Sequence, residues 1–313
     1  MTKIAIVQQP PVYLDKQRSL ERAASLIAEA AAQGAGLVAF PEVWLPGYPT
    51  YVWRLRPGAD MRQTDELFAL SQANSVDLAR GDLAPVREAA REHGVVVAMG
   101  HQEIDSGRSG STLFNSVAII DADGRILNNH RKLMPTNPER MVWGFGDGST
   151  LRVVETAVGR IGALICWENY MPLARYALYA QAIDIYLAPT WDSGETWHAT
   201  MQHIAREGGC WVAGYATALE AGDIPADLPW RDALFPEAGE WINPGDAVLY
   251  RPFGGCAAGP MHREKGLLFG EIDIAAARAS RRKFDACGHY ARPDVFTLHV
   301  NRAPQTPVVF SEG

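Results

Sequence analysis

Three reactive side chains each stand at the end of a short run that reads as a strand. Glu42 follows Leu37-Val38-Ala39-Phe40-Pro41, Lys132 follows Arg125–Arg131, and Cys166 follows Ile161-Gly162-Ala163-Leu164-Ile165. A residue that ends a buried strand emerges at the sheet edge, partly removed from water. Partial desolvation raises a carboxyl pKa, which suits a general base working near neutrality. A lysine at such a place supplies fixed positive charge to a developing anion. A thiol there is a nucleophile once it loses its proton, and the lysine and a following helix N-terminus, near Pro172, both favour the thiolate. Each residue also has a plainer reading. A lone cysteine is most often an inert core residue, a lysine a snorkelling surface residue, and a glutamate ordinary surface. Cys210, Cys256 and Cys287 keep that plainer reading.

The elements around these residues alternate between strand and helix. Strands are expected over 3–9, 36–40, 95–100, 183–188, 210–216, 248–251 and 267–274. Helices are expected over 18–33, 83–93, 171–182, 197–207 and 274–283, the first two stopped by Gly34 and Gly94. Asp121-Ala122-Asp123-Gly124 joins 114–121 to 125–133 as a hairpin, and Val158-Gly159 joins 151–157 to 160–165 as a second. Alternating elements mixed with hairpins imply an α/β protein built on mixed sheets covered by helices. Residues 220–244, rich in Gly, Pro, Asp and Glu, read as a long ordered loop. No internal break divides the 313 residues, so one large domain over 1–313 is expected, with 297–313 as a short tail.

Composition removes other classes of function. The net charge of −7 argues against a nucleic-acid or anionic-membrane surface. No apolar run approaches the roughly 18 residues of a spanning helix, and the start, MTKIAIVQQP, has no signal-peptide core. A cytoplasmic, reduced protein is expected, since the four cysteines form no CxxC pair. Gly144-Phe145-Gly146-Asp147-Gly148 is glycine-rich, but it lacks the GxGxxG spacing and follows a loop, so nucleotide binding is not expected. His198 and His203 are not spaced as a zinc pair, and no metal is expected.

Taken together, Phe-Pro-Glu at 40–42, His-Arg-Lys-Leu at 130–133 and Cys-Trp-Glu at 166–168 resemble the Glu–Lys–Cys triad of the nitrilase superfamily, in the same order. The resemblance covers nearly the whole chain. Finer features resemble its nitrilase branch: Pro46-Gly47-Tyr48-Pro49, the run KLMPTNPERMVWGFGDG from Lys132 to Gly148, Cys-Trp-Glu-Asn with Met-Pro-Leu, Ala188-Pro189-Thr190, and His289–Phe296. The resemblance implies a four-layer αββα sandwich. It adds Glu139 as a fourth catalytic residue, which would otherwise read as a loop carboxylate pairing with Arg140.

The activity implied is hydrolysis of an organic nitrile to a carboxylic acid and ammonia, through a thioimidate and a thioester on Cys166, with no cofactor. Glu42 would move protons, Lys132 would stabilise the tetrahedral intermediates, and the Trp167 amide would be a second donor. Tyr48, Trp143, Trp167 and Trp191 lie in or beside the motifs and would line an apolar substrate pocket. An amidase or carbamoylase, or a cyanide hydratase or dihydratase, would use the same groups. A non-enzymatic member of the fold would be marked by a missing triad residue, and none is missing. A homodimer joined through helical layers is implied. A filament, or other higher oligomer, is the less secure extension, since only 17 residues (313 − 296) follow Phe296.

Overall fold

Alternation along the strands divides the apolar residues into separate dry layers. The computed structural model describes residues 1–107, 109–306, 308–309 and 311; the remainder of the expected 297–313 tail lies outside the described residues. The first half of the chain runs β1 (Thr2–Val7), α1 (Lys16–Ala32), β2 (Ala35–Ala39), α2 (Met61–Ala73), α3 (Ala84–His93), β3 (Val96–Ile104), β4 (Leu113–Ile120) and β5 (Ile126–Arg131). The second runs β6 (Val154–Thr156), β7 (Gly159–Ala163), α4 (Pro172–Tyr179), β8 (Ile185–Pro189), α5 (Glu195–Gly208), β9 (Trp211–Tyr215) and β10 (Ala218–Glu220). It continues through α6 (Arg231–Leu234), β11 (Trp241–Tyr250), β12 (Cys256–His262), β13 (Leu267–Ile272) and α7 (Ile274–Ser280).

Two mixed sheets result. One has the order β13-β1-β2-β3-β4-β5, the other β10-β11-β9-β8-β7-β6 with β12 paired to β11. Ile4, Ile6, Leu37, Ala39, Val96 and Ala98 point into one apolar layer with Ile161, Ile185, Leu187, Ala213 and Leu249 from the other sheet. Their neighbours Ala5, Val7, Val38, Phe40, Val97 and Met99 face Leu20, Ile27, Val86 and Ala90 of α1 and α3. On the far side Tyr186, Ala188, Val212 and Val248 face Leu178, Trp197, Met201 and Ile204 of α4 and α5. The result is the αββα sandwich, with strands dry on both faces. That double burial is why the strand sequences are near-continuous apolar runs.

Most sequence-level elements are present with boundaries shifted by a few residues. Residues 220–244 differ from the single loop expected: they hold a 3-10 turn at Ala221–Asp223, α6 and the start of β11, so the strand expected at 248–251 is the end of a much longer one. The strand β12 and the helix α2 were not anticipated. β12 carries Gly259 and Pro260, and its side chains are largely exposed at a sheet edge, where proline is tolerated in a strand. In α2 only Leu67 and Ser71 are buried, so its apolar stripe is too thin to register as a period.

The parallel strands β1-β2-β3 and β7-β8-β9 place the site, because loops at the carboxyl ends of such strands converge. Glu42 follows β2, and Cys166 follows β7. The turn carrying Glu42 crosses β3 at Gly100, where a Cβ would lie 1.8 Å from the Pro41 carbonyl oxygen. Hydrogen bonds from Leu45 N to Gly100 O (3.1 Å) and from Gln102 N to Leu45 O (2.7 Å) fasten it there. Gly100→Ala must therefore displace the Glu42 turn. We expect it to lower unfolding free energy by about 1–3 kcal/mol and to reduce turnover. Gly239→Ala, where a Cβ meets nothing within 4 Å, serves as the control. Denaturation of both variants checks this, and equal stability would show that the turn relaxes freely.

Candidate active site

Glu42, Lys132 and Glu139 form one buried ionic cluster. The Lys132 ammonium donates to Glu42 Oε1 and to Glu139 Oε2, each at 2.8 Å, and neither Lys132 nor Glu42 has side-chain exposure. Lys132 extends β5: its amide donates to Asn115 O (2.8 Å), and Gly146 N donates to Lys132 O (2.8 Å). A Cβ on Gly146 would fall 2.2 Å from Arg131 O, so this glycine permits the close approach. The glycine-rich run thus has a packing reason. Glu139 sits in the 3-10 turn Asn137–Met141; its Oε2 also accepts from Thr136 N (2.7 Å), and its Oε1 accepts from the Tyr48 hydroxyl (2.6 Å). It does not pair with Arg140, whose Nε donates to Pro135 O.

Glu42 Oε1 takes a second bond from Asn115 Nδ2 (2.6 Å), while its Oε2 is buried with no hydrogen-bond partner among the described residues. Burial pushes the Glu42 carboxyl up to about 7; Lys132 opposes the rise and Glu139 adds to it. Burial alone would pull the Lys132 ammonium down, but Glu42, Cys166 and Glu139 together hold it well above the ordinary lysine range. Burial, reinforced by Glu139 and Glu42, also drives the Tyr48 hydroxyl well above its usual value, so it remains a donor.

Cys166 adjoins this cluster and is 4% exposed. It opens the 3-10 turn Cys166–Tyr170 in a left-handed backbone conformation, φ 53°. Asn169 Nδ2 holds the carbonyls of Leu164 (3.0 Å) and Cys166 (2.8 Å) on either side. The pull toward the thiolate that Lys132 supplies is outweighed by the other surroundings. Burial, then Glu42, raise the thiol well above its ordinary pKa, more than Lys132 lowers it. The helix α4 begins at Pro172, where the sequence places it.

Three of the four aromatic residues singled out come together. Tyr48 stacks on Trp191 at 4.3 Å and 3°, and meets Trp143 edge-on at 5.6 Å. The Trp143 indole is fixed by Gln102 Oε1 (2.8 Å). Trp167 lies elsewhere: it is 49% exposed, edge-on to Tyr170, and its indole donates to Asp192 (3.0 Å). Its amide belongs to the first turn of a helix, whose N–H groups lack intrahelical acceptors. Trp53, outside the motifs, donates its indole to the Tyr48 hydroxyl (3.1 Å). Sequence reasoning also passed over Asn115. Its signal was a polar Asn-Ser pair inside an otherwise apolar strand, since a buried polar group must have a partner.

The sandwich and its thiol-and-ion cluster define a class. The chain belongs to the carbon-nitrogen hydrolase family, whose model matches residues 3–282. It is 40% identical to the aliphatic nitrilase of Sinorhizobium fredii, over 99% of each chain. It is 38% identical to a bifunctional nitrilase/nitrile hydratase of Lupinus angustifolius, over 99% of this chain and 89% of that one. The carbon-nitrogen hydrolase of Helicobacter pylori G27 has the same fold, with a TM-score of 0.72 at 19% identity, over 94% of this chain and 96% of that one.

Removing Lys132 strands two buried carboxylates. Lys132→Ala is expected to destabilise the fold by about 3–5 kcal/mol at pH 8. A carboxylate left without its cation has a raised folded pKa, so the penalty appears above the unfolded pKa and shrinks as pH falls toward it. Denaturant unfolding at pH 8 and pH 5 checks this; an equal loss at both pH values would mean the carboxylates were not left charged.

Proposed function

We propose that the protein hydrolyses organic nitriles to carboxylic acids and ammonia through covalent intermediates on Cys166. The observation that carries the mechanism is the unpartnered Glu42 Oε2 in a carboxyl raised to about 7, in a cluster that also holds a protonated thiol and a fixed ammonium. The nitrilases among its relatives support the substrate class, the nitrile C≡N group.

Glu42 takes the thiol proton as sulfur attacks the nitrile carbon, and the proton passes to nitrogen to give a thioimidate. Water, deprotonated by Glu42, adds to that carbon. Cleavage of C–N in the tetrahedral species, with nitrogen protonated, expels ammonia and leaves a thioester. A second water releases the acid and restores the thiol. Lys132 stabilises charge at the tetrahedral stages, and the Trp167 amide is the second donor, each such donor being worth about 3–4 kcal/mol. Glu139 fixes Lys132 from the side opposite Glu42. Tyr48, Trp143 and Trp191 form an apolar wall for the substituent on the nitrile, and Trp167 borders its entrance. No cofactor enters these steps. Residues 1–313 act as a single catalytic domain, assembled as a homodimer in the cytoplasm. The unpaired state of all four cysteines suits that compartment, and no helix among the described residues is long and apolar enough to cross a membrane.

An amidase of this family would use the same groups, so substrate comparison decides. With phenylacetonitrile, an aliphatic dinitrile and their amides, we expect kcat/KM to favour the nitriles and the product to be mainly acid. Amides preferred by tenfold, about 1.4 kcal/mol, would make the protein an amidase. Cys166→Ala is expected to lose several orders of magnitude in kcat, and mass spectrometry of acid-quenched wild type to show an adduct on the Cys166 peptide. Below pH about 7 Glu42 is protonated and cannot accept the thiol proton. The rate kcat/KM is therefore expected to rise with pH through about 7 and then level off. A profile flat from pH 5 to 8 would remove Glu42 as the base.

A further inference from the structure

We infer that Glu168 is a positioning residue: a buried carboxylate clasp that sets Cys166 against Lys132 by gripping the backbone beside each of them. Glu168 is 1% exposed. Its Oε2 accepts from the Ile165 amide at 2.6 Å, and its Oε1 accepts from the Leu133 amide at 2.7 Å. Ile165 directly precedes Cys166 and Leu133 directly follows Lys132. The two amides extend different sheets, since Ile165 continues from β7 and Leu133 from β5. One side chain therefore spans the interface between the sheets at the level of the reacting groups.

His130 completes the clasp. Its Nε2 lies 3.1 Å from each Glu168 oxygen, and its Nδ1 lies 3.2 Å from the Thr150 hydroxyl. A carboxylate has two acceptor oxygens, and here each serves a different strand. The need for such a grip is visible at Cys166, whose φ of 53° is unfavourable for an L-residue. Strained backbone of this kind persists only where its surroundings over-determine it. The Glu168 bond to Ile165 and the Asn169 bonds to Leu164 and Cys166 do so. Among the described residues, no hydrogen bond joins Glu168 or His130 to Tyr48, Trp143, Trp191 or Glu42, so the effect is expected on the chemical step and not on substrate binding.

This inference rests on the proposed roles of Cys166 and Lys132. Glu168→Gln tests it, because the amide keeps the shape but retains one acceptor oxygen, so one strand loses its tie. Wild type, Cys166→Ala, Glu168→Gln and His130→Gln are compared on the nitrile turned over fastest, with circular dichroism melts. The expected result for Glu168→Gln is a kcat at least 30-fold lower, with KM within threefold and the pH midpoint of the acid limb unmoved. A wild-type kcat, or a loss carried by KM, overturns the clasp. If Glu168→Gln does not fold, His130→Gln decides. A kcat reduced fivefold or more at constant KM supports the clasp, and an unchanged kcat overturns it. Turnover retained by Cys166→Ala would instead sink the underlying reading of the site.

Discussion

Lys132 is a fully buried ammonium held between two carboxylates, and its burial constrains everything around it. Taking an ammonium out of water costs several kcal/mol even after relaxation, and fixed, well-aligned partners must offset that cost. Glu42 and Glu139 each supply one at 2.8 Å. Each carboxylate is then itself held: Glu42 by Asn115, and Glu139 by Tyr48 and the Thr136 amide. The network closes on the backbone at several points, so the positions of the reactive groups are fixed before any substrate arrives. Such preorganisation is what makes electrostatic stabilisation effective in a dry site.

The same burial distributes protons in a way that suits stepwise hydrolysis. Three acids share one cation. The surroundings push the lysine toward its charged form and the thiol toward its neutral form, and burial raises the Glu42 carboxyl to about 7. A resting thiolate would add a further anion to a cluster that already has two carboxylates. Deferring ionisation until attack avoids that, and couples formation of the C–S bond to transfer of the proton. The aromatic wall bears on the cluster through one atom, the Tyr48 hydroxyl, which ties the apolar surface of Trp143 and Trp191 to Glu139.

Assembly of this centre depends on two sheets meeting face to face. Glu42 and Lys132 come from one sheet and Cys166 from the other. The apolar layer between the sheets brings them to the right depth but has no direction of its own, since hydrophobic burial is non-directional. Directional contacts lie at the edge of that layer: Glu168 bonds the Leu133 and Ile165 amides at two strand ends, one from each sheet.

The sequence by itself determined the layered architecture and the residues at the strand ends. Central strands dry on both faces leave unbroken apolar runs, and a carboxylate, an amine and a thiol at their ends, Glu42, Lys132 and Cys166, stand out against those runs. Local signals also marked the hairpin at 121–124 and the helix stops at Gly34 and Gly94. Only the tertiary structure decided the direction in which the Cys166 thiol is shifted, since burial and the nearness of Glu42 are long-range facts that outweigh the lysine. It alone separated Trp167 from the wall formed by Tyr48, Trp143 and Trp191, and brought Trp53 to the Tyr48 hydroxyl. It alone revealed β12 and α2, whose exposed surfaces leave no strong period. Glu168, His130 and Asn115 were in plain view as letters, but what a buried polar side chain does is set by its partners, and theirs come from strands far away in the chain.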